Sequence, residues 1–202
     1  MSEDDDDKEI VLQGNGFSIV KLKQPGTMVP YPARSIPVEG RLNYGWLDLR
    51  GRPDLVDQVP EAREIPALAK LLRVLATSPT LMSSACEHGV FYREGLDPPW
   101  QGGSFVVIEF LEEEDNTNSD RFVDLAKSVL GGIKPTEAHH IGFDMIVEPL
   151  KTFFGRADCF ALMIRSLGLG STEKEAVAAM EHAINAVAES LQRNRPEAKK
   201  II

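Results

Sequence analysis

The chain has 202 residues, of which 43% are hydrophobic, so it can bury a substantial core as one domain or as two packed halves. Its formal net charge is −9 and its longest basic cluster is the pair Lys199 and Lys200, so the positive footprint that nucleic acids require is missing. The apolar runs are too short for a membrane-spanning helix and no secretory signal precedes them, so we expect a cytoplasmic protein without a membrane partner.

Two isolated cysteines, Cys86 and Cys159, form no CxxC pair and are too few for a disulfide framework, so we expect both to be reduced. A free cysteine usually packs as a small hydrophobic residue. Cys86 and His88 stand two residues apart, but the flanking sequence of a cysteine hydrolase is missing. The sequence also lacks the motifs of serine hydrolases, nucleotide-binding loops and zinc proteases, so we expect no cofactor.

The N-terminal part begins with an acidic run, and residues 1–9 are predicted to form a disordered arm. Residues 10–202 are predicted to form a single α+β domain. Within it, residues 10–12 and 17–22 flank a glycine-containing turn and predict a hairpin. The four prolines of residues 25–37 indicate a long irregular connector.

Three further elements are predicted in the first half of the chain. Residues 42–49 alternate as a strand with a bulge near Gly45, which could redirect Trp46. Pro66 begins a helix that extends to Thr77. Ser78 and Pro79 have the pattern of an N-cap and a first helical residue, which predicts a second short helix ending at Gly89.

The elements of the second half show clearer patterns. Residues 97–103 are predicted to be a turn-rich loop, and residues 104–111 are apolar at nearly every position, which is typical of a strand buried on both faces. A short helix follows, with Ser119 as its N-cap. Alternation then predicts two strands over 143–148 and 160–165.

The last helix has one apolar stripe, formed by Val177, Met180, Ile184, Val187 and Leu191. The preceding Thr172 and Glu175 have capping-box spacing. The amides of residues 168–172 could also hold a small anion at the helix N-terminus, but a capped turn is the simpler interpretation.

These elements predict an α+β fold with a mostly antiparallel sheet and helices packed on one face. The C-terminal part has the strand–helix–strand–strand–helix order of a ferredoxin-like arrangement, although residues 199–202 are too few for a convincing last strand. Possible sub-halves of the domain are 10–97 and 98–202.

Strand alternation divides the C-terminal strands between two sets of side chains. One set is apolar and is predicted to pack against the helices: Val106, Ile108, Phe110, Phe143, Met145, Val147, Phe160, Leu162 and Ile164. The opposite set, called the second face below, mixes apolar and charged residues: Phe105, Val107, Glu109, Asp144, Ile146, Glu148, Met163 and Arg165. A free protein would not leave such a face bare, so we expect the N-terminal half, another subunit or a ligand to cover it.

The candidate ligand- or partner-binding residues are the charged members of the second face together with an aromatic residue of the preceding loop: Trp100, Glu109, Asp144, Glu148 and Arg165. If the N-terminal half covers this face, Arg165 would pair with one of the carboxylates. If a ligand or subunit covers it, the same groups would line the site.

A weaker alternative is a divalent metal site at His140 and Asp144, in a cluster with Glu137 and His139. Neighbouring histidines point apart in regular structure, and an obvious third ligand from elsewhere in the chain is missing. A histidine-containing loop without metal is therefore the simpler interpretation.

From composition we expect a non-catalytic acidic domain that binds another protein, or a second copy of itself as a dimer. It could serve as a chaperone, inhibitor or immunity-type partner of a basic target, because opposite charge accelerates association. One alternative is a regulatory domain that binds a small ligand between its halves. A third hypothesis is a metal-assisted hydrolase that uses His140 and Asp144.

Overall fold

The computed structural model describes residues 7–33, 44–134 and 140–194. Its strands are β1 (Lys8–Gly14), β2 (Phe17–Leu22), β3 (Met28–Val29), β4 (Leu81–Tyr92), β5 (Trp100–Phe110), β6 (Ile141–Pro149), β7 (Thr152–Phe153) and β8 (Phe160–Gly170). Its α-helices are α1 (Pro60–Glu64), α2 (Pro66–Ala76), α3 (Ser119–Gly132) and α4 (Glu173–Arg193), and Pro53–Gln58 and Glu113–Thr117 form 3₁₀ helices.

Within those ranges, six strands form one sheet in the order β1-β2-β6-β8-β5-β4, while β3 and β7 pair separately. Strands β2 and β6 are parallel, and the other neighbours in the six-stranded sheet are antiparallel. The predicted α+β class with a mostly antiparallel sheet is therefore confirmed. Strands from both halves of the chain share this sheet.

The C-terminal order of β5, α3, β6, β8 and α4 is the predicted one, with the short β7 added between β6 and β8. Strand β8 lies between β5 and β6, as a split β-α-β arrangement requires. The sheet continues on the far side of β5 through β4, which precedes β5 in the chain. The weak C-terminal strand candidate at 199–202 lies outside the described residues.

Helix α4 is the central helix of the layer, because it contacts β8 and β5 below it and both α2 and α3 beside it. The predicted stripe of α4 is confirmed, since Met180, Ile184, Val187 and Leu191 are buried. The predicted capping box forms, but Glu175 bonds to the backbone N–H of Ser171 and not to that of the N-cap residue Thr172. Thr172 Oγ1 accepts a hydrogen bond from Glu175 N at 3.2 Å, and Glu175 Oε2 accepts one from Ser171 N at 2.9 Å.

The predicted helix after Ser78 is wrong, because residues 81–92 form strand β4 and pair with β5 along its length. Ser78 does cap a turn, since its Oγ accepts hydrogen bonds from Thr80 N at 3.3 Å and Leu81 N at 3.0 Å. That turn leads into a strand. Long-range pairing with β5 therefore outweighs the local helix signal.

Two other predicted boundaries change, and the predicted strand over 42–49 is wrong in the part that the structure describes. Strand β5 begins at Trp100, so the predicted loop over 97–103 ends earlier than expected. The described part of the 42–49 strand, residues 44–49, has no regular structure, because Gly45 takes a φ of 85° and turns the chain. Strand β1 begins at Lys8, within the predicted acidic arm, and residues 1–6 lie outside the described ranges.

The N-cap of α3 also moves by one residue. Asn118 occupies that position, and its side chain accepts a hydrogen bond from Asp120 N at 3.0 Å. Ser119, the predicted cap, is instead the first residue of the helix.

Candidate functional site

The second face of the sheet forms as strand alternation predicts. Val106 and Ile108 belong to the large core that lies beneath the helices. Val107 and Ala161 belong to a separate apolar cluster, and Met163 packs against that cluster. Alternate residues of β5 and β8 therefore serve two different cores.

One end of the second face is covered by chain segments from both halves. Val29 of β3 and Phe153 of β7 pack there together with Leu150 and Cys159, and Trp46 packs against them. The paired strands β3 and β7 hold these residues in place. The cover thus includes part of the N-terminal half, which is one of the three covers expected from the sequence.

Glu109 lies at the covered end and is completely buried. Its Oε1 accepts a hydrogen bond from Ser84 Oγ at 2.5 Å, whereas its Oε2 has no partner among the residues that the structure describes. Burial raises the pKa of Glu109 from 4.5 to about 8; the Ser84 hydrogen bond opposes that rise, and the carboxyl of Glu148 adds to it. Glu109 therefore keeps its proton at neutral pH.

Glu148 on β6 is a second buried carboxyl, 4% exposed, and its Oε1 also lacks a partner within the described ranges. Burial raises the pKa of Glu148 as well. Glu148 pairs with Ala161, and the register of β5 with β8 places Glu109 on the other side of Ala161. Because the alanine side chain is small, the two glutamate side chains can extend toward each other over β8 on the second face. Their strands flank β8, so their backbones lie about 10 Å apart.

Ser84 reaches Glu109 because β4 contains a bulge. The register between β4 and β5 shifts between Ser83 and Ala85, so one extra residue is inserted at that point. A bulge redirects side chains, and here Ser84 contacts Glu109 while Ala85 packs against the second-face cluster. Sequence reasoning missed Ser84 because it placed this segment in a helix.

Trp100 is not brought together with the other candidate residues. It lies nine positions from Glu109 on the same strand, a separation of about 30 Å. Its ring makes an edge-on contact with Tyr92 at 5.3 Å between centroids. Trp100 therefore belongs to the far end of the β4–β5 hairpin.

Asp144 and Arg165 are paired in register toward the open end of the second face. Asp144 Oδ1 accepts a hydrogen bond from Ser18 Oγ at 2.8 Å. Arg165 is exposed and forms no ion pair with any residue in the described part of the chain. The predicted pairing of Arg165 with a carboxylate is therefore absent there, and within the same described ranges the buried glutamates form no ion pair with a cationic side chain.

A groove of about 1010 Å³ lies over the second face and extends along β4, and we call it the second-face groove. Its apolar and aromatic lining comes from several elements, and it includes Tyr31, Trp46, Ala85, Phe105, Val107 and Met163. Ser84 also lines it, so the buried Glu109 lies directly behind the groove wall. Its volume is at the upper end of the range typical of ligand pockets.

Carboxylates concentrate on the wall of the groove. Glu61 and Glu64 come from α1, and Glu87 comes from β4. Glu64 Oε2 lies 3.0 Å from His88 Nε2, and Lys151 supplies a cationic side chain elsewhere on the lining. The lining described by the structure is therefore predominantly acidic at this wall.

The same surroundings suppress the reactivity of Cys86. Burial, with the charges of Glu61 and Glu87, raises the pKa of the Cys86 thiol to about 12. The phenol of Tyr31 also has its pKa raised to about 12, mainly by burial. A thiol that stays protonated is a poor nucleophile, so the groove is better suited to binding than to covalent chemistry.

The residues of the metal hypothesis do not converge. His140 and Asp144 are four residues apart on extended backbone, about 13 Å along the chain. Among the described residues, no group of three or more His, Cys, Asp and Glu side chains could hold a metal ion. Glu137 and His139 lie outside those ranges.

Comparisons with known proteins found no relative. No family model matches the sequence, no curated protein matches it, and no solved structure matches the fold. Within the described ranges, no helix combines the length and apolar character needed to cross a membrane.

Proposed function

We propose that the protein is a non-catalytic cytoplasmic binding protein whose second-face groove takes a basic, extended segment of a partner protein. The observation that carries this proposal is the location of Glu61, Glu64 and Glu87 on the wall of a groove of about 1010 Å³. An acidic wall favours lysine and arginine, and the net charge of −9 accelerates their approach.

The shape of the groove supports a chain segment as its occupant. The groove lining follows β4 continuously over residues 83–88, which span roughly 20 Å of extended strand. Its floor is formed by apolar side chains, so alternate residues of an extended segment could contact the floor while the intervening basic residues meet the carboxylates. A small ligand would fill only part of such a space.

The chemistry of the neighbouring groups favours binding over catalysis. Glu109 is inaccessible behind Ser84, and its pKa of about 8 keeps it protonated at neutral pH, when a general base must be ionised. The raised pKa of the Cys86 thiol removes the nearest sulfur nucleophile.

A charge-neutralising double variant tests the proposal. Glu61→Gln with Glu87→Gln is expected to weaken the binding of octapeptides that alternate Lys or Arg with Tyr or Leu by roughly tenfold, because each lost contact is worth up to about 1 kcal/mol. Fluorescence anisotropy of labelled peptides measures the affinity at low and high salt. Binding to the unmodified protein should weaken at high salt.

The matched control carries the same change in net charge on other elements. Glu9→Gln on β1 with Glu181→Gln on α4 should leave peptide affinity within about twofold. Equal weakening in both double variants would show general attraction to an acidic protein and would contradict a specific groove. If no basic peptide binds and sedimentation shows a dimer that Glu61→Gln with Glu87→Gln dissociates, the occupant is a second copy of this chain.

A further inference from the structure

A second cavity, of about 330 Å³, lies in the helix layer and shares no described lining residue with the second-face groove. It opens to solvent on one side and is lined by the C-terminal ends of α2 and α4, by α3, and by the adjoining ends of β4 and β5. We call it the helix-end cavity. Its volume is at the lower end of the range for small-molecule pockets.

The wall of the helix-end cavity is mainly apolar. Seven side chains from five elements form it: Val74, Leu75, Leu81, Phe110, Leu125, Val129 and Leu191. Concave apolar walls of this kind favour small aromatic molecules, because binding removes apolar surface from water. The helix-end cavity therefore favours an apolar occupant of about the size of one substituted ring.

One polar group at this wall lacks a partner. Thr80 Oγ1 is buried and forms no hydrogen bond with the described residues, whereas the backbone of Thr80 is bonded to Ser78 Oγ and Leu111 N. A threonine side chain exchanges its hydroxyl and methyl positions by rotation about χ1. Because Oγ1 is buried in the present rotamer, a ligand hydroxyl or carbonyl group would reach it only after a rotation about χ1 brings it to the cavity wall.

The charges at the rim favour a neutral ligand. Arg121 forms an ion pair with Asp115 and lies over the ring of Phe110 at 5.0 Å, so its charge is already compensated. Asp124 lines the cavity as well and is paired with Lys127 at 4.0 Å, so the rim offers no uncompensated charge to an ionic ligand. Asn194 Nδ2 donates to Ser128 O at 2.9 Å, so it is engaged within the protein.

We infer that the helix-end cavity is a binding site for a small uncharged molecule with one aromatic or similarly compact apolar body and a single hydrogen-bonding group that pairs with Thr80. This site is independent of the second-face groove. Either assignment can fail without affecting the other.

Three probes separate the chemical classes: p-cresol has the ring and a hydroxyl, toluene lacks the hydroxyl, and p-toluate carries a charge. Titrations of the full chain followed by amide NMR shifts at Leu81, Leu125 and Val129 measure binding at the cavity. We expect p-cresol to bind roughly fivefold more tightly than toluene, as one net hydrogen bond allows, and p-toluate to bind most weakly.

Matched variants test the role of Thr80. Thr80→Val keeps the shape and should remove the preference for p-cresol, whereas Thr80→Ser should retain it. Thr117→Val, on a hydroxyl outside the cavity that donates to Glu114 O, should change nothing. Leu125→Trp fills the cavity from a partly exposed position and should abolish binding of both neutral probes.

The proposal is overturned if neither neutral probe shifts the cavity amides, if p-toluate binds as tightly as p-cresol, or if the preference for p-cresol survives in Thr80→Val. Thermal unfolding of each variant shows whether it is folded before its binding is compared. If Thr80→Val folds poorly, Thr80→Ser still tests the proposal, because loss of the preference for p-cresol in that variant would contradict a hydrogen bond to the Thr80 hydroxyl.

Discussion

Replacing Gly168 by alanine is expected to destabilise the protein by about 3 kcal/mol, because the sheet and the central helix meet at this glycine. A Cβ at Gly168 would lie 2.6 Å from the carbonyl carbon of Ala179 and 2.7 Å from Ala176 O, and it would also collide with Met180 N. These are backbone atoms of α4 and cannot rotate away. The helix must lift from β8, and the buried stripe of α4 then loses contact with the core.

Urea unfolding of the unmodified protein and the variant measures this loss. Gly131→Ala is the matched control, since nothing lies within 4 Å of a Cβ at that position in α3. It should leave the free energy of unfolding unchanged or raise it by up to about 1 kcal/mol, because alanine favours helix. Equal free energies for Gly168→Ala and the unmodified protein would mean that α4 does not approach β8 so closely.

The sequence predicts the C-terminal elements well because their periodicity is long and unambiguous. The stripe of α4 extends over four turns, and the alternation of β6 and β8 continues through most of each strand. The same alternation correctly separates Val106 and Ile108 from Val107. The interpretation of residues 168–172 as a capped turn is confirmed by Thr172, and Gly168 serves the contact with α4.

The sequence fails where distant pairing decides the structure. Residues 81–86 lack clean alternation because β4 has a bulge at Ser84, and Ser78 imitates a helix cap while it caps a turn. Without the strand, the hydrogen bond of Ser84 to Glu109 cannot be foreseen. Tyr31 and Glu61 are missed for a related reason, since they reach the groove from irregular or short segments.

Strand parity alone predicts that Glu109 and Glu148 lie on the second face, and the structure places them there. What parity cannot show is how deeply they are buried. The burial of the two glutamates depends on Val29 and Phe153, which cover the second face. These residues belong to the two-residue strands β3 and β7, which pair with each other although they are separated by more than half of the sequence. The exposed Arg165 illustrates the opposite case, because the described cover does not extend to its end of the sheet.

Glu109→Gln is expected to destabilise the protein slightly in acid and to stabilise it by several kcal/mol in base. The folded protein retains the Glu109 proton up to a pKa of about 8, whereas the ordinary value is 4.5. The contribution of Glu109 to the free energy of unfolding is therefore highest below pH 4.5. It falls by about 1.4 kcal/mol per pH unit as the pH rises toward 8, and it stays constant above pH 8. Glutamine stays neutral throughout and avoids that loss.

In acid, Glu109→Gln should lower the free energy of unfolding by about 1 kcal/mol. The glutamine amide brings two N–H donors, and Ser84 is the only hydrogen-bond partner of this side chain among the described residues. Urea unfolding from below pH 4.5 to above pH 8 gives the difference between the two proteins at each pH. Taking the difference cancels the other carboxyls that titrate in this range.

Glu94→Gln is the control, since this residue lies in the exposed turn between β4 and β5 and should change stability by less than about 0.5 kcal/mol at any pH. Glu148→Gln tests the pairing across Ala161: the carboxyl of Glu148 contributes to the raised pKa of Glu109, so its removal should lower that pKa, and the loss of stability should level off at a lower pH and be smaller in total. If the difference between Glu109→Gln and the unmodified protein stays constant across this range, Glu109 is solvated in solution. Water would then have to reach the buried carboxyl, either past the cover formed by β3 and β7 or through the groove wall at Ser84.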